Sequence, residues 1–395
     1  INGAFSTKPV SEWEEPDHIP WQAIMGRAGN IYETYDEFME AEGHREWPSI
    51  AVYFYRDEWV MGDIEYQQAL FEEIYKYQYN PIIFYGQYGS NPRVGIPNMK
   101  LSMNHLFGKD VFPFDVLINT CKFSFQSLGA QTLEELKLQG VPIVQGYTIY
   151  MDEQSWAADP QGVTPLDVNL SISQPELDGV IHGGVVACQT FDEQGHYMYL
   201  PVKERIGAVV QRAIKWSKLR HIPVSERRVA IILHNYPPKN SNIGSAAGLD
   251  TPESVLRLLR QMQEEGYSID SVPETSAALM DMVTSHMTND RSMLTDELLG
   301  SAEGRMSSDD YKEYFATLPE DTQAAMVKSW GEAPGDVFVY DDEVIIPGFS
   351  NGNLWITVQP PRGFGENVSA IYHDPCLPPP HQYLAFYHWV RTVFE

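Results

Sequence analysis

Histidine and carboxylate side chains cluster near the C-terminus, around a proline-rich segment. His373 and Asp374 precede the prolines, His381 opens the last predicted helix, and His388 follows seven residues later. Seven residues make about two helical turns, so both helical histidines lie on one face. Because imidazole and carboxylate suit a divalent metal or proton transfer, Asp374, His381 and His388 are candidate metal ligands. No standard zinc signature matches, so histidines that only open or pack a helix remain the alternative.

Two further polar side chains, Gln359 and Arg362, flank a pair of prolines upstream of that cluster. Proline restricts the backbone, so both side chains are presented in fixed directions. The guanidinium of Arg362 can bind a carboxylate through two parallel N–H groups. We therefore expect both residues to contact a substrate.

A glycine-rich loop over residues 234–250 follows an apolar strand and begins with His234, Asn235 and Tyr236. Thr251 is the predicted N-cap of the next helix, whose exposed N–H groups can bind an anion. The loop matches neither a P-loop nor a GxGxxG motif. A turn that only joins strand to helix is the plainer alternative. His234 is either a satisfied core histidine or a ligand or proton carrier.

Short apolar strands alternate with helical patterns along most of the chain. This alternation predicts an α/β fold of two consecutive parallel-sheet units of the Rossmann or flavodoxin type, whose ligands bind beyond the carboxyl ends of the strands. We expect the second unit to contain an inserted helical subdomain, and we read 336–346 as strand. The predicted divisions are a lead-in at 1–47, a first domain at 48–225, and a second at 226–395 with its insertion at about 270–330.

The predicted mouth of the first sheet contains Cys121 and Lys122, directly after the strand DVLINT. No histidine lies nearby in sequence, so a small buried cysteine is favoured over a nucleophile. The clearest helix of this half spans 202–219, with an apolar face that includes Ile206, Val209 and Val210.

Composition excludes several classes of protein. The 395 residues hold 27 Lys and Arg against 54 Asp and Glu, a net charge of −27, which argues against nucleic acid and anionic membranes as partners. The three cysteines form no CxxC pair, as in proteins of a reducing cytoplasm. No apolar run is long enough to span a membrane. We therefore expect a cytoplasmic globular protein.

Three stretches resemble the CobN/magnesium-chelatase H family, the large subunits of aerobic cobaltochelatase and magnesium chelatase. They begin RVAIILHNYPPKNSNIGSAAGLDTPES, WGEAPGDVFVYDDEVIIPGFSNGN and IYHDPCLPPPHQYLAFYHW, and a weaker likeness covers AVYFYRDEWVMGDIEYQQALFEEI. The HNYPP phrase favours the cobalt branch.

The resemblance implies ATP-dependent insertion of a divalent metal into a tetrapyrrole, with cobalt(II) and a corrin precursor of the hydrogenobyrinic acid a,c-diamide type as substrates. AAA+ and AAA+/integrin-I-type partner subunits would bind the ATP and its magnesium. Asp374 would accept protons or deliver the metal, helped by His373 and His381. Arg362, with His234 and Asn235, would bind peripheral carboxylates or amides, and Tyr236 would pack on the ring.

In that family the chain continues into an HG-x-LEW/F-x-PGK phrase, whereas this sequence ends at Glu395 and starts at Ile1. We therefore expect an internal piece of a longer subunit that is inactive in isolation. Two alternatives stay open: a non-catalytic module that binds tetrapyrrole or docks subunits, and a magnesium chelatase subunit.

Overall fold

The computed structural model describes residues 19–87, 89–108, 111–363, 373–374 and 376–393. The chain divides into two compact units, Ile1–His221 and Ile222–Glu395. The strands of the first unit are β1 (Ala23–Met25), β2 (Ile31–Tyr32), β3 (Ser49–Tyr55), β4 (Asn80–Gly86), β5 (Val116–Asn119), β6 (Ile143–Ile149), β7 (Ile181–Phe191) and β8 (Tyr197–Pro201). Its helices are α1 (Tyr35–Ala41), α2 (Arg56–Met61), α3 (Glu65–Lys76), α4 (Met99–Phe107), α5 (Phe125–Leu138), α6 (Glu153–Ala158), α7 (Pro165–Asp167), α8 (Gln174–Leu177) and α9 (Lys203–His221).

The eight strands form one sheet in the order β2-β1-β4-β3-β5-β6-β7-β8. The five central strands are parallel, and β1, β2 and β8 pair antiparallel at the edges. The parallel strands thus have the flavodoxin-like order 2-1-3-4-5. Nearly every residue of β3, β4 and β5 is buried, as expected of a sheet covered on both faces. The segment predicted as a lead-in contributes β1 and β2 to this sheet.

The second unit holds two smaller sheets. Its strands are β9 (Val229–Leu233), β10 (Gly304–Ser307), β11 (Val339–Tyr340), β12 (Glu343–Ile346), β13 (Phe349–Asn351) and β14 (Leu354–Val358). Its helices are α10 (Thr251–Glu264), α11 (Ser276–Ser285), α12 (Asp296–Gly300), α13 (Ser308–Ala316), α14 (Glu320–Trp330) and α15 (His381–Val393). The sheet orders are β10-β12-β11 and β13-β14-β9.

The prediction of a second parallel sheet is wrong. Among the described strands of this unit, only β9 and β14 pair in parallel. The stretch read as one strand folds back as β11 and β12, because Asp341 and Asp342 adopt φ of 51° and 61° in a two-residue hairpin turn. The segment predicted as a helical insertion also contains β10, which pairs with β12.

The two faces of β14 bury different cores. Leu354 and Ile356 pack with α10 and α11, whereas Trp355 packs with α13 and α15. This alternation follows from the two-residue period of a strand. Asp250, rather than the predicted Thr251, caps α10 by accepting the N–H of Glu253. The β9–β14 pair therefore lies between two helical layers, with its carboxyl edge open to loops.

Candidate functional site

The carboxyl ends of β9 and β14 meet at one edge of their sheet. Leu233 pairs with Val358 at the last register position, and the Gln359 N–H donates to the Leu233 carbonyl at 2.8 Å. The chain continues from these ends into His234 on one strand and toward Arg362 on the other. The parallel pairing thus brings together the two groups of residues predicted to bind substrate.

The loop after β9 is held by its own hydrogen bonds. Asn235 is 4% exposed and its backbone pairs with Ile243. Its side-chain amide faces the carbonyls of Lys239 (2.9 Å) and Pro237 (3.3 Å), which assigns the nitrogen to that side as their donor. The exposed ring of His234 bonds through Nδ1 to the Ser245 carbonyl at 3.0 Å. Because a carbonyl only accepts, Nδ1 carries the hydrogen and the neutral ring keeps its lone pair on Nε2. Half-buried Tyr236 lies in the same loop.

Asn289 connects the edge to α15, a link that the sequence did not reveal. It is 0% exposed, and its Nδ2 donates to the Gln359 carbonyl at 2.7 Å and to that of Val358 at 3.4 Å. Its Oδ1 accepts from Gln382 Nε2 at 3.3 Å. Asn289 therefore fixes the end of β14 against the first turn of α15.

The neighbours of Asn289 fix the same segment to the His234 loop. Thr288 Oγ1 donates to Asn240 Oδ1 at 2.7 Å, and Asp290 Oδ2 accepts the Asn240 N–H at 2.9 Å. Burial acts to raise the pKa of Asp290, but hydrogen bonds from Ser292 and the Asn240 backbone outweigh it and lower that pKa. The carboxylate is thus kept ionised as an acceptor that orders the loop.

The only signal for these residues in the sequence is the polar run TND between Met287 and Arg291. Three buried polar residues in succession cost free energy unless each is hydrogen-bonded, so such a run indicates a polar network. The run falls inside the segment predicted as a helical insertion, for which the sequence suggests no role.

His381 does not fit the predicted role in catalysis or metal binding. It is 2% exposed, with Nε2 at 3.0 Å from the Gly331 carbonyl and Nδ1 at 2.9 Å from the Tyr311 hydroxyl. The carbonyl requires the hydrogen on Nε2, so Nδ1 accepts from the tyrosine and both nitrogens are occupied. Burial lowers the pKa of His381, which keeps the ring neutral.

His388 packs against the same helix as His381. Its ring stacks on Tyr314 with centroids 3.8 Å apart, and burial, with the charge of Arg391, lowers its pKa. Tyr311 and Tyr314 of α13 therefore face His381 and His388 of α15 in two matched contacts. The shared helix face was predicted correctly, but it forms a helix–helix interface.

Of the other predicted side chains, Arg362, His373 and Asp374 are exposed and Gln359 is half-buried. Arg362 follows the edge, and His373 and Asp374 lie beyond 364–372, a stretch outside the described residues. Asp374 Oδ1 accepts the Cys376 N–H at 2.9 Å, which closes a local turn. In the described part of the chain, no three His, Cys, Asp or Glu side chains converge as a metal site.

No helix in the described ranges combines the length and the apolar character needed to cross a membrane.

Comparison with known proteins places the whole chain in one family. The family model for CobN/Magnesium Chelatase matches residues 2–395. An uncharacterised protein of Methanocaldococcus jannaschii is 36% identical over 97% of this chain and 32% of its own length. The aerobic cobaltochelatase subunit CobN of Pseudomonas aeruginosa is 29% identical over 97% of this chain and 30% of its own.

The fold agrees with a solved structure, the catalytic subunit of cobaltochelatase from Mycobacterium tuberculosis. The TM-score is 0.71 at 29% identity, over 95% of this chain and 30% of that one. The chain thus spans about a third of the length of the relatives that it matches. It belongs to the CobN/magnesium chelatase family.

Proposed function

We propose that the chain is part of the large, tetrapyrrole-binding subunit of an ATP-dependent chelatase that inserts cobalt(II) into a corrin precursor of the hydrogenobyrinic acid a,c-diamide type. The observation that carries this proposal is the convergence of Asn235, Gln359 and Asn289 at the carboxyl edge of the β9–β14 pair. Carboxyl edges of parallel strands are the usual ligand positions in α/β folds. The choice of cobalt is supported by the CobN relative, which matches 97% of this chain.

The edge offers groups that suit the rim of a macrocycle bearing carboxylates and amides. Arg362 is exposed beside it and can bind a carboxylate through two N–H groups. We assign Gln359 and His234 to polar contacts and Tyr236 to packing on the ring face. Asn235 is a positioning residue, because its amide hydrogens hold the loop in place.

Metal insertion removes two protons from pyrrole nitrogens and strips water from the metal. An exposed carboxylate can take such a proton or hand over cobalt(II), so Asp374 keeps the proposed role of proton acceptor or metal donor, with His373 as its helper. Nε2 of His234 offers a lone pair at the edge itself. His381 and His388 drop out of this proposal, since their rings are engaged with α13 and Gly331.

The partners in this proposal are AAA+ and AAA+/integrin-I-type subunits, which would bind ATP with its magnesium and hydrolyse it. Neither nucleic acid nor a membrane is a proposed partner, and we propose a cytoplasmic location.

The test is cobalt insertion by the subunit together with its ATPase partners, followed by absorbance. Asp374→Asn should lower turnover at least about 100-fold and leave macrocycle affinity within about threefold, because loss of a general base costs roughly that much. Asp309→Asn, an exposed carboxylate on α13, is the matched control. Turnover by Asp374→Asn equal to that of the control would remove Asp374 from the mechanism.

The same assay separates the alternatives. The description of the family names magnesium chelatase as well, so a second arm offers Mg²⁺ and protoporphyrin. Insertion in that arm alone would assign the chain to the magnesium branch. Binding of macrocycle without insertion of either metal would identify a non-catalytic module.

A further inference from the structure

The first unit has a position of its own where α/β folds bind ligands. The chain runs from β3 to β4 on one side and then crosses to β5 on the other side of β3. The strand order therefore reverses between β3 and β5, and ligands of open parallel sheets bind beyond the carboxyl ends at such a switch point. The residues there are Tyr55 at the end of β3, Glu58 after it, and Thr120 to Lys122 after β5.

Lys122 is buried at this switch point among neutral partners. It is 6% exposed, and its Nζ donates to Thr148 Oγ1 at 2.7 Å and to the Tyr199 hydroxyl at 3.4 Å. The same Nζ lies 4.3 Å from the centre of the Tyr150 ring. Hydroxyls and an aromatic face stabilise an ammonium but do not neutralise it.

No carboxylate in the described ranges lies within ion-pair distance of Lys122 Nζ. Glu58 does not supply the missing charge near pH 7, because burial raises its pKa to about 8. The charge of Asp167 raises the pKa of Lys122, but it does so from beyond hydrogen-bonding distance. Since buried charges in proteins are normally paired in direct contact, Lys122 is suited to an additional anion at contact distance, which no described residue provides.

The surface over Lys122 is aromatic. Tyr150 is 40% exposed and Tyr197 is 49% exposed, and Tyr197 packs edge-on against Tyr199 with centroids 6.4 Å apart. Exposed rings around a cation suit a ligand with a conjugated ring and a carboxylate, because the rings pack on one another and the carboxylate pairs with the ammonium.

We propose that the switch point of the first unit is a second ligand site, in which Lys122 pairs with a carboxylate of a tetrapyrrole whose conjugated ring rests on Tyr150 and Tyr197. This site deepens the proposed function and rests on it, since it assigns a carboxylate of the tetrapyrrole to a residue far in sequence from the edge of β9 and β14.

The probes are mesoporphyrin IX and its dimethyl ester, which share the ring and differ in the carboxylates. We expect Lys122→Met to weaken mesoporphyrin binding about 10- to 100-fold, the range of one charge-assisted hydrogen bond, and to leave ester binding within about twofold. Tyr150→Leu should weaken both probes. Lys203→Met, an exposed lysine on α9, is the matched control.

A second measurement does not depend on a folded variant. In protein with ¹³C-labelled lysine Cε, the Lys122 signal should titrate at least about one pH unit higher with mesoporphyrin than with the ester, since an opposite charge favours the ammonium. Two results together would overturn this site and leave the proposed function standing. Mesoporphyrin would bind without changing the pKa of Lys122, and it would bind Lys122→Met and Lys203→Met with equal affinity. Absence of porphyrin binding by the wild-type chain would also overturn this site, whereas the proposed function is decided separately by the insertion assay with the corrin precursor.

Discussion

Half-buried Glu58 and buried Lys122 together predict an unusual pH dependence for the stability of the first unit. Glu58 Oε2 accepts from the Tyr66 hydroxyl and from Gln67 Nε2, both at 2.6 Å. Burial still raises the pKa of Glu58 to about 8, aided by Asp63 and opposed by those hydrogen bonds and by Lys122. Burial lowers the pKa of Lys122 to about 8, against the attraction of Asp167 and Glu58.

The two shifts act in successive pH ranges. Between pH 4.5 and about 8 the folded state keeps the Glu58 proton that the unfolded chain has lost, so stability falls as pH rises. Between about 8 and 10.5 the unfolded chain holds the Lys122 proton that the folded state has released, so stability rises again. The pair therefore produces a minimum in stability near pH 8.

The size of the effect follows from about 1.4 kcal/mol for each unit of pKa shift. The fall due to Glu58 is about 5 kcal/mol in total, and the recovery due to Lys122 is about 3 kcal/mol. Glu58→Gln keeps an acceptor for Tyr66 and removes the titration. We expect this variant to be more stable than the wild type by about 4 kcal/mol at pH 8, and by about 1 kcal/mol at pH 5.5.

Hydrogen exchange of β3 and β5, corrected for the intrinsic exchange rates, measures the opening free energy of this unit alone. Glu65→Gln, on the exposed start of α3, is the control and should stay within about 0.5 kcal/mol of the wild type at both pH values. A difference between the wild type and Glu58→Gln that is equal at pH 5.5 and pH 8 would refute the reasoning.

Two further predictions concern the second unit, and urea denaturation measures both. Tyr311→Phe leaves Nδ1 of buried His381 without its donor and should cost about 1–3 kcal/mol of unfolding free energy. The control Tyr314→Phe keeps the stacking on His388 and should cost less than about 0.5 kcal/mol. Equal losses in the two variants would contradict the assignment of the proton to Nε2 of His381. Gly304→Ala places a Cβ 2.7 Å from the Ile346 carbonyl oxygen and should lower the unfolding free energy of the second unit by about 1–3 kcal/mol. The control Gly300→Ala, whose Cβ meets nothing within 4 Å, should be neutral or stabilising. A Gly304→Ala variant as stable as the wild type would contradict the close pairing of β10 with β12.

The elements that local pattern determines were predictable from the sequence. The apolar run at 49–55 is β3, and the predicted apolar face of the helix at 202–219 is the buried face of α9. The position of Cys121 and Lys122 at the mouth of the first sheet followed from the strand–helix alternation. These features depend on periodicity and on strand formers, which a single sequence contains.

Features that depend on distant partners were not predictable. The antiparallel course of β12 depends on its pairing with β10, some 40 residues earlier in the chain, and on a turn of two aspartates. Asn289 gains its role from the ends of β14 and α15, and His381 loses its expected role because Tyr311 and Gly331 occupy its nitrogens. Buried hydrogen bonds of this kind are specified by tertiary contacts, so spacing alone did not separate a ligand from a structural histidine.

The central claim is that the tetrapyrrole binds at the carboxyl edge of β9 and β14, and a footprint of the bound macrocycle tests it most directly. Hydrogen exchange of the chain would be compared with and without a saturating corrin precursor. The account predicts slower exchange in the loop at 234–245 and in the segment at 357–363, with α12 at 296–300 unchanged. A macrocycle that binds and leaves exchange in both 234–245 and 357–363 unaltered would contradict the claim.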